Sequence, residues 1–162
     1  MVTEPAARSP EPHLLDVAEE NLAVVHGRVS PDEIRTFFDT SFGRLAAVLD
    51  TQGANITGPA LALYGTVDEQ SMEITVGFPV GRRIRPEGEV EAGVLPAGRT
   101  ARLLHHGSFD GLDQSWNRLH SWITDRGLAP AGTRWEVYVT EPNPHMDPAG
   151  LRTELNWSIA PH

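Results

Sequence analysis

The pentapeptide Trp135-Glu136-Val137-Tyr138-Val139 sets a single carboxylate inside a run that is otherwise apolar. Side chains of an extended strand alternate between its two faces, so Glu136 and Tyr138 share one face and Trp135, Val137 and Val139 the other. A carboxylate between aromatic walls is poorly solvated. It would draw in a cationic ligand or act as a general base. The competing reading is a solvent-facing glutamate on a half-exposed strand.

Other residues group around this one. The stretch GPALALYGT (58–66) resembles GTRWEVYVT (132–140), which matches Tyr64 with Tyr138 and Ala62 with Glu136. Both tyrosines would then lie on one sheet face, with rings for stacking and hydroxyls for orientation, unless they are ordinary strand aromatics. Ala62 in place of a second carboxylate gives a site with one polar anchor and one apolar wall. Trp116 falls in line with Leu112, Leu119 and Ile123 at helical spacing, a pattern that suits core packing and ligand contact equally. Trp122 is off that stripe and reads as structural. Phe109 precedes the helix and would close one end of a groove, while Phe78 and Trp157 match each other and read as core or groove floor.

Several chemistries find no residues to carry them. The chain has no cysteine, which excludes disulfides, thiolate nucleophiles and cysteine-ligated zinc. The seven histidines show no metal-ligand spacing. No G-x-S-x-G and no glycine-rich phosphate loop occurs. The expectation is a site with no metal and no cofactor.

The elements that must position these residues follow from local signals. Leu14 to Val29, with the apolar run Leu22-Ala23-Val24-Val25, reads as a strand. Ser30-Pro31-Asp32-Glu33 has the form of a capping box with proline at the first helical position. Ile34, Phe37, Phe38, Phe42, Leu45 and Leu49 continue at helical spacing, and Gly53 is a natural stop. Ala60 to Tyr64 and Met72 to Val80 read as strands. Val90 to Leu95 and Arg99 to His105 read as strands around a tight turn at Pro96-Ala97-Gly98. The Trp116 helix ends at Gly127. Trp135 to Thr140 and Leu151 to Ile159 are the last strands, separated by a proline-rich loop.

The order strand, helix, strand, strand occurs twice, with an extra strand before the second round. VVHGRV (24–29) resembles LHHGSF (104–109), and MEITVGFPV (72–80) lines up with LRTELNWSI (151–159). The reading is α+β: two strand-helix-strand-strand units forming one antiparallel sheet, with two helices on one face and a groove between them. A flexible tail over 1–13 precedes a single domain at 14–162, with halves of about 14–80 and 89–160.

With 162 residues, 40% hydrophobic, the chain can bury a full core. Its formal net charge of −9 argues against direct nucleic-acid binding, which needs a basic face. No run approaches the roughly 20 apolar residues of a membrane span, and Met1 to Pro12 is not of signal-peptide type, so the expected location is the cytoplasm.

Taken together, GPALALYG, MEITVGFPV, VLPAGRTARLLHHGSFDGL, the helix around Trp116 to Trp122, WEVYVTEP and DPAGLRTELNWSI resemble the GyrI-like small-molecule-binding domain, also called the AraC effector-binding domain, over residues 14 to 160. The resemblance implies the two-unit fold with a ligand groove and places Glu136 at its base. Regulators of that family carry a helix-turn-helix domain, for which this acidic chain has no room. Stand-alone members resemble binding or sequestering proteins, proteins that protect DNA gyrase, or hydrolases of cyclopropane-containing genotoxins. The leading expectation is a binder of lipophilic, aromatic or cationic small molecules, such as a drug or toxin. Its site would comprise Glu136, Tyr64, Tyr138, Trp116, Phe109 and Ala62. The hydrolase alternative would use Glu136 as general base with Tyr138 or Tyr64 orienting water. The third alternative is a gyrase-interacting protein. The residues do not decide among them, nor do they decide whether the chain is a homodimer.

Overall fold

A computed structural model describes residues 11–67, 70–107, 111–139 and 150–160. The elements run β1 (His13–Val17), β2 (Glu20–Val29), α1 (Ile34–Gln52), β3 (Leu61–Val67), β4 (Met72–Pro79), β5 (Glu91–Leu95), β6 (Gly98–His106), α2 (Leu112–Asp125), β7 (Pro130–Tyr138) and β8 (Arg152–Ile159). The strands form one antiparallel sheet in the order β1-β6-β8-β7-β3-β4-β2-β5. It curls, and both helices pack on one face. The α+β architecture expected from the repeat is the one found.

That order is symmetric about the β7–β3 seam. Each position in the first half has its counterpart in the second: β2 with β6, β3 with β7, β4 with β8, and β1 with β5. The extra strand before the second round therefore has a partner before the first. The segment read as one strand around Leu22 is two, β1 and β2, split at Ala18-Glu19.

The turn expected at Pro96-Ala97-Gly98 is a correction of a second kind. It joins β5 and β6, but these do not pair with each other; β5 pairs with β2, and β6 with β1. The two ladders share one register. Leu15 faces Thr100 and Leu22, seven residues on, faces Gly93, seven residues back. They are two arms of a single antiparallel ribbon, broken where Ala18-Glu19 passes Pro96-Ala97. Pro96 has no N–H to give a ladder, and Gly98 takes φ +140, a conformation that favours glycine. The arms extend the two edges of the curled sheet and tie its halves together.

The helices start and stop as their sequences indicate. A short 3-10 turn over Pro31–Glu33 leads into α1, and the Ser30 N–H donates to Glu33 Oε1 at 2.9 Å. That bond, ahead of the hydroxyl contact, holds the Glu33 carboxyl below its usual range. Gly53 ends α1 at φ +65, and Gly127 follows α2 at φ +75.

On the helix side of the sheet, α1 packs on β2 and β4 and α2 on β6 and β7. Leu45 and Leu49 of α1 are buried with Val25, Ala62 and Val76. Leu119 and Ile123 of α2 are buried with Ala101, Leu103 and Leu155. Burying each leucine, isoleucine or valine among them contributes about 1.5–3 kcal/mol. The other sheet face has its own cluster, Leu22, Val24, Leu61, Leu95 and Trp135. The Trp135 face and the Glu136 face are thus both buried, by different neighbours.

Candidate functional site

The groove between the helices lies over the β7–β3 seam, and the strand register arranges its floor in rows. In the central row Ala62 stands opposite Glu136, which stands opposite Leu155. In the next row Arg134 lies between Tyr64 on one side and Trp157 on the other. On the far side of Glu136, Tyr138 faces Thr153. Ala62 and Glu136 are equivalent positions in the repeat and also direct partners across the seam. The carboxylate therefore sits on the pseudo-two-fold axis, flanked by a tyrosine from each half.

Glu136 is 2% exposed. The Tyr64 hydroxyl donates to its Oε1 at 2.8 Å and the Tyr138 hydroxyl to the same atom at 3.0 Å. The Trp116 indole N–H, reaching down from α2, donates to Oε2 at 2.8 Å. Three neutral donors thus replace the water that burial removes. Burial, and then the charge on Glu136, push the Tyr64 phenol well above its ordinary range. Tyr138 is raised for the same first reason, with Tyr64 and Glu136 adding to it. Both hydroxyls remain protonated donors at neutral pH.

Aromatic rings form the two walls, again in matched pairs. Phe42 of α1 meets Phe78 of β4 edge to face at 5.3 Å, and Trp116 of α2 meets Trp157 of β8 edge to face at 5.6 Å. Phe38 tilts against Tyr138 at 6.0 Å. Trp157, expected as core or floor, packs against the α2 core cluster beside Trp116, and its indole N–H donates to the Ala131 carbonyl. Trp122 packs at the edge of the α2 core under the Arg126 guanidinium, away from the groove.

Glu136, Tyr64, Tyr138, Trp116 and Ala62 come together around one point. Phe109 lies outside the described residues. The adjacent histidines separate as the strand dictates: His105 is buried and bonded to Ser115 at 2.7 Å, and His106 is exposed. The sequence reading missed Arg134. Its guanidinium carbon lies 4.9 Å from the ring centre of Trp116, 5.3 Å from Tyr64 and 5.5 Å from Trp157. Each such contact contributes about 0.5–2 kcal/mol, more as water is excluded. Its signal was present, since Arg134, Glu136 and Tyr138 alternate onto one face. Thr153 was also missed; its hydroxyl oxygen is buried with no hydrogen-bond partner among the described residues. Two surface depressions lie elsewhere, one along Arg44, Ala47 and Glu89 and one between His106 and Arg118, and neither includes Glu136.

Residues 10–159 match the model of the GyrI-like small-molecule-binding domain. The chain belongs to this family. As a GyrI-like domain it superposes on the crystal structure of the EcmrR C-terminal domain with a TM-score of 0.82 at 19% identity, covering 93% of this chain and 98% of that one. In the EcmrR–DNA complex the GyrI-like chain covers 57% of the EcmrR chain, with 92% of its own length aligned (TM-score 0.81, 19% identity). A structure of SAV2435 bound to tetraphenylphosphonium matches at a TM-score of 0.66 and 13% identity, over 93% of this chain and 94% of that one. A hydrolase encoded by lin2189 of Listeria innocua matches at 0.69 and 12%, over 96% and 94%. At these identities the likeness is one of fold. No curated protein matches the GyrI-like chain in sequence. No helix among the described residues is long and apolar enough to cross a membrane.

Proposed function

We propose that this GyrI-like chain binds lipophilic, aromatic or cationic small molecules, of the drug or toxin type, in the groove between α1 and α2, with Glu136 as the polar anchor. The observation that carries the reading is a carboxylate only 2% exposed, held by Tyr64, Tyr138 and Trp116 beneath paired aromatic walls. A charge kept in such surroundings interacts with an incoming cation through little water, so attraction is strong once both are desolvated. Rings on both sides supply area and stacking. The tetraphenylphosphonium bound by SAV2435 is of this ligand class. The expected setting is the cytoplasm.

Titration of the wild-type chain and Glu136→Gln tests this. The probes are tetraphenylphosphonium and the neutral triphenylphosphine oxide, followed by quenching of tryptophan fluorescence. The variant should lose about tenfold or more for the cation, which is ~1.4 kcal/mol, and much less for the neutral compound. Equal losses would remove Glu136 from the anchoring role.

A second reading is a cofactor-free hydrolase that opens cyclopropane rings, with Glu136 as general base. It is favoured by the two phenols that meet at Glu136 Oε1: their protons are given to the carboxylate, and their oxygen lone pairs can accept from a water held beside it. Incubation with a cyclopropane-bearing alkylator, and mass spectrometry for the water adduct, tests it. Turnover no faster than buffer would reject it for that substrate class.

A further inference from the structure

The groove already holds a cation of its own. The Arg134 guanidinium is boxed by Tyr64, Trp116 and Trp157 at 4.9–5.5 Å from their ring centres. It is partly buried, and it makes no hydrogen bond or ion pair among the described residues. A guanidinium carries five N–H donors and seldom gives up water without pairing them. Here ring faces alone hold it, so it occupies the box without being locked into it.

The repeat sharpens the point. The position matching Arg134 in the first half is Ala60, and the matching rings are Tyr138, Phe42 and Phe78. One arm of a symmetric groove therefore carries a built-in cation and the other a methyl group. The strand register requires this placement, because Arg134 lies directly between Tyr64 and Trp157, two residues along β7 from Glu136 and on the same face.

We propose that Arg134 is an internal occupant of the aromatic box, which a cationic ligand must displace, so that this residue sets the charge selectivity of the groove. The inference rests on the proposed binding site and deepens it. A compact lipophilic cation competes with the guanidinium for the same three rings. A ligand bearing an acceptor or a negative charge does not compete, and it can take the unpaired donors.

The experiment compares the wild-type chain with Arg134→Met and Arg134→Lys, each first checked for cooperative melting and near-ultraviolet circular dichroism. The probes are tetraphenylphosphonium and its anionic isostere tetraphenylborate, and the readout is tryptophan fluorescence. Arg134→Met should bind the phosphonium about tenfold or more tighter than wild type and the borate more weakly. Arg134→Lys keeps the charge and should stay near wild type, which a purely structural role for the side chain would not produce. Phosphonium binding by the wild-type chain that Arg134→Met leaves unchanged or weakens would overturn the inference and leave the proposed function standing. Binding by neither protein would overturn both. Binding by Arg134→Met alone would support both, with the wild-type groove self-blocked.

Discussion

Replacing Trp116 with phenylalanine isolates the donor that holds one oxygen of the buried carboxylate. Glu136 Oε2 accepts from the Trp116 indole at 2.8 Å and from no other group among the described residues, whereas Oε1 has two phenolic donors. At 2% exposure, water cannot take the place of the lost N–H. A hydrogen bond to a charged group contributes ~1.5–3 kcal/mol, and the smaller ring forfeits on the order of 1 kcal/mol of packing. The expected cost is about 2.5–4 kcal/mol. In a chain of 162 residues that lowers Tm by roughly 5–15 °C. The assay is urea or thermal unfolding of a double-mutant cycle with Glu136→Leu. In the leucine background only the packing loss remains, so the coupling between the two sites should be ~1.5–3 kcal/mol. A coupling below about 0.5 kcal/mol would show that Trp116 acts as a packing residue and that the carboxylate is satisfied by other means.

Four further outcomes follow from the same geometry. The chain's two tyrosines, Tyr64 and Tyr138, are both in the site and both raised, so absorbance near 295 nm should show no tyrosinate step near 10 while the protein stays folded. Because the folded state keeps these protons longer, stability should be flat with respect to them below about pH 10. Above it, stability should fall by up to ~1.4 kcal/mol per pH unit for each tyrosine; a native-state step near pH 10 would contradict the buried geometry. Thr153→Val removes a buried, unpaired hydroxyl and should raise stability by about 1 kcal/mol in urea unfolding; a loss would mean that the hydroxyl has a partner. Ala62→Leu adds volume opposite Glu136 at a position 0% exposed, and should cost ~1–3 kcal/mol while weakening ligand titrations. Leu119→Ala, in the α2 core, should cost about 2–5 kcal/mol by the same unfolding assay and leave ligand affinity of the folded fraction unchanged.

The features legible in the chain were those that depend on near neighbours. Alternation about Glu136 assigned it and Tyr138 to one face. The capping residues around Ser30 and the stops at Gly53 and Gly127 marked the helices. The likeness of GPALALYGT to GTRWEVYVT located the two-fold relation, which then appeared as direct pairing of Ala62 with Glu136. Each of these signals is carried by spacings of two to five residues or by repetition, and both survive without knowledge of what lies across space.

Partner choice was not legible. The sequence around Pro96-Ala97-Gly98 has the chemistry of a tight turn, and only the curl of the whole sheet makes it a crossover in a ribbon shared by both halves. The sequence reading passed over Arg134 because strand periodicity says which face a residue takes, not what stands opposite. Its box needs a ring from β3, one from β8 and one from α2 to converge, and no local pattern encodes a meeting of three separate segments. The chain by itself determined the elements, their repetition and the carboxylate at their centre, because these follow from covalent periodicity. Tertiary structure alone decided that the carboxylate is sealed by three donors and that a cation of the protein's own already lies among the rings, because both depend on contacts between distant strands.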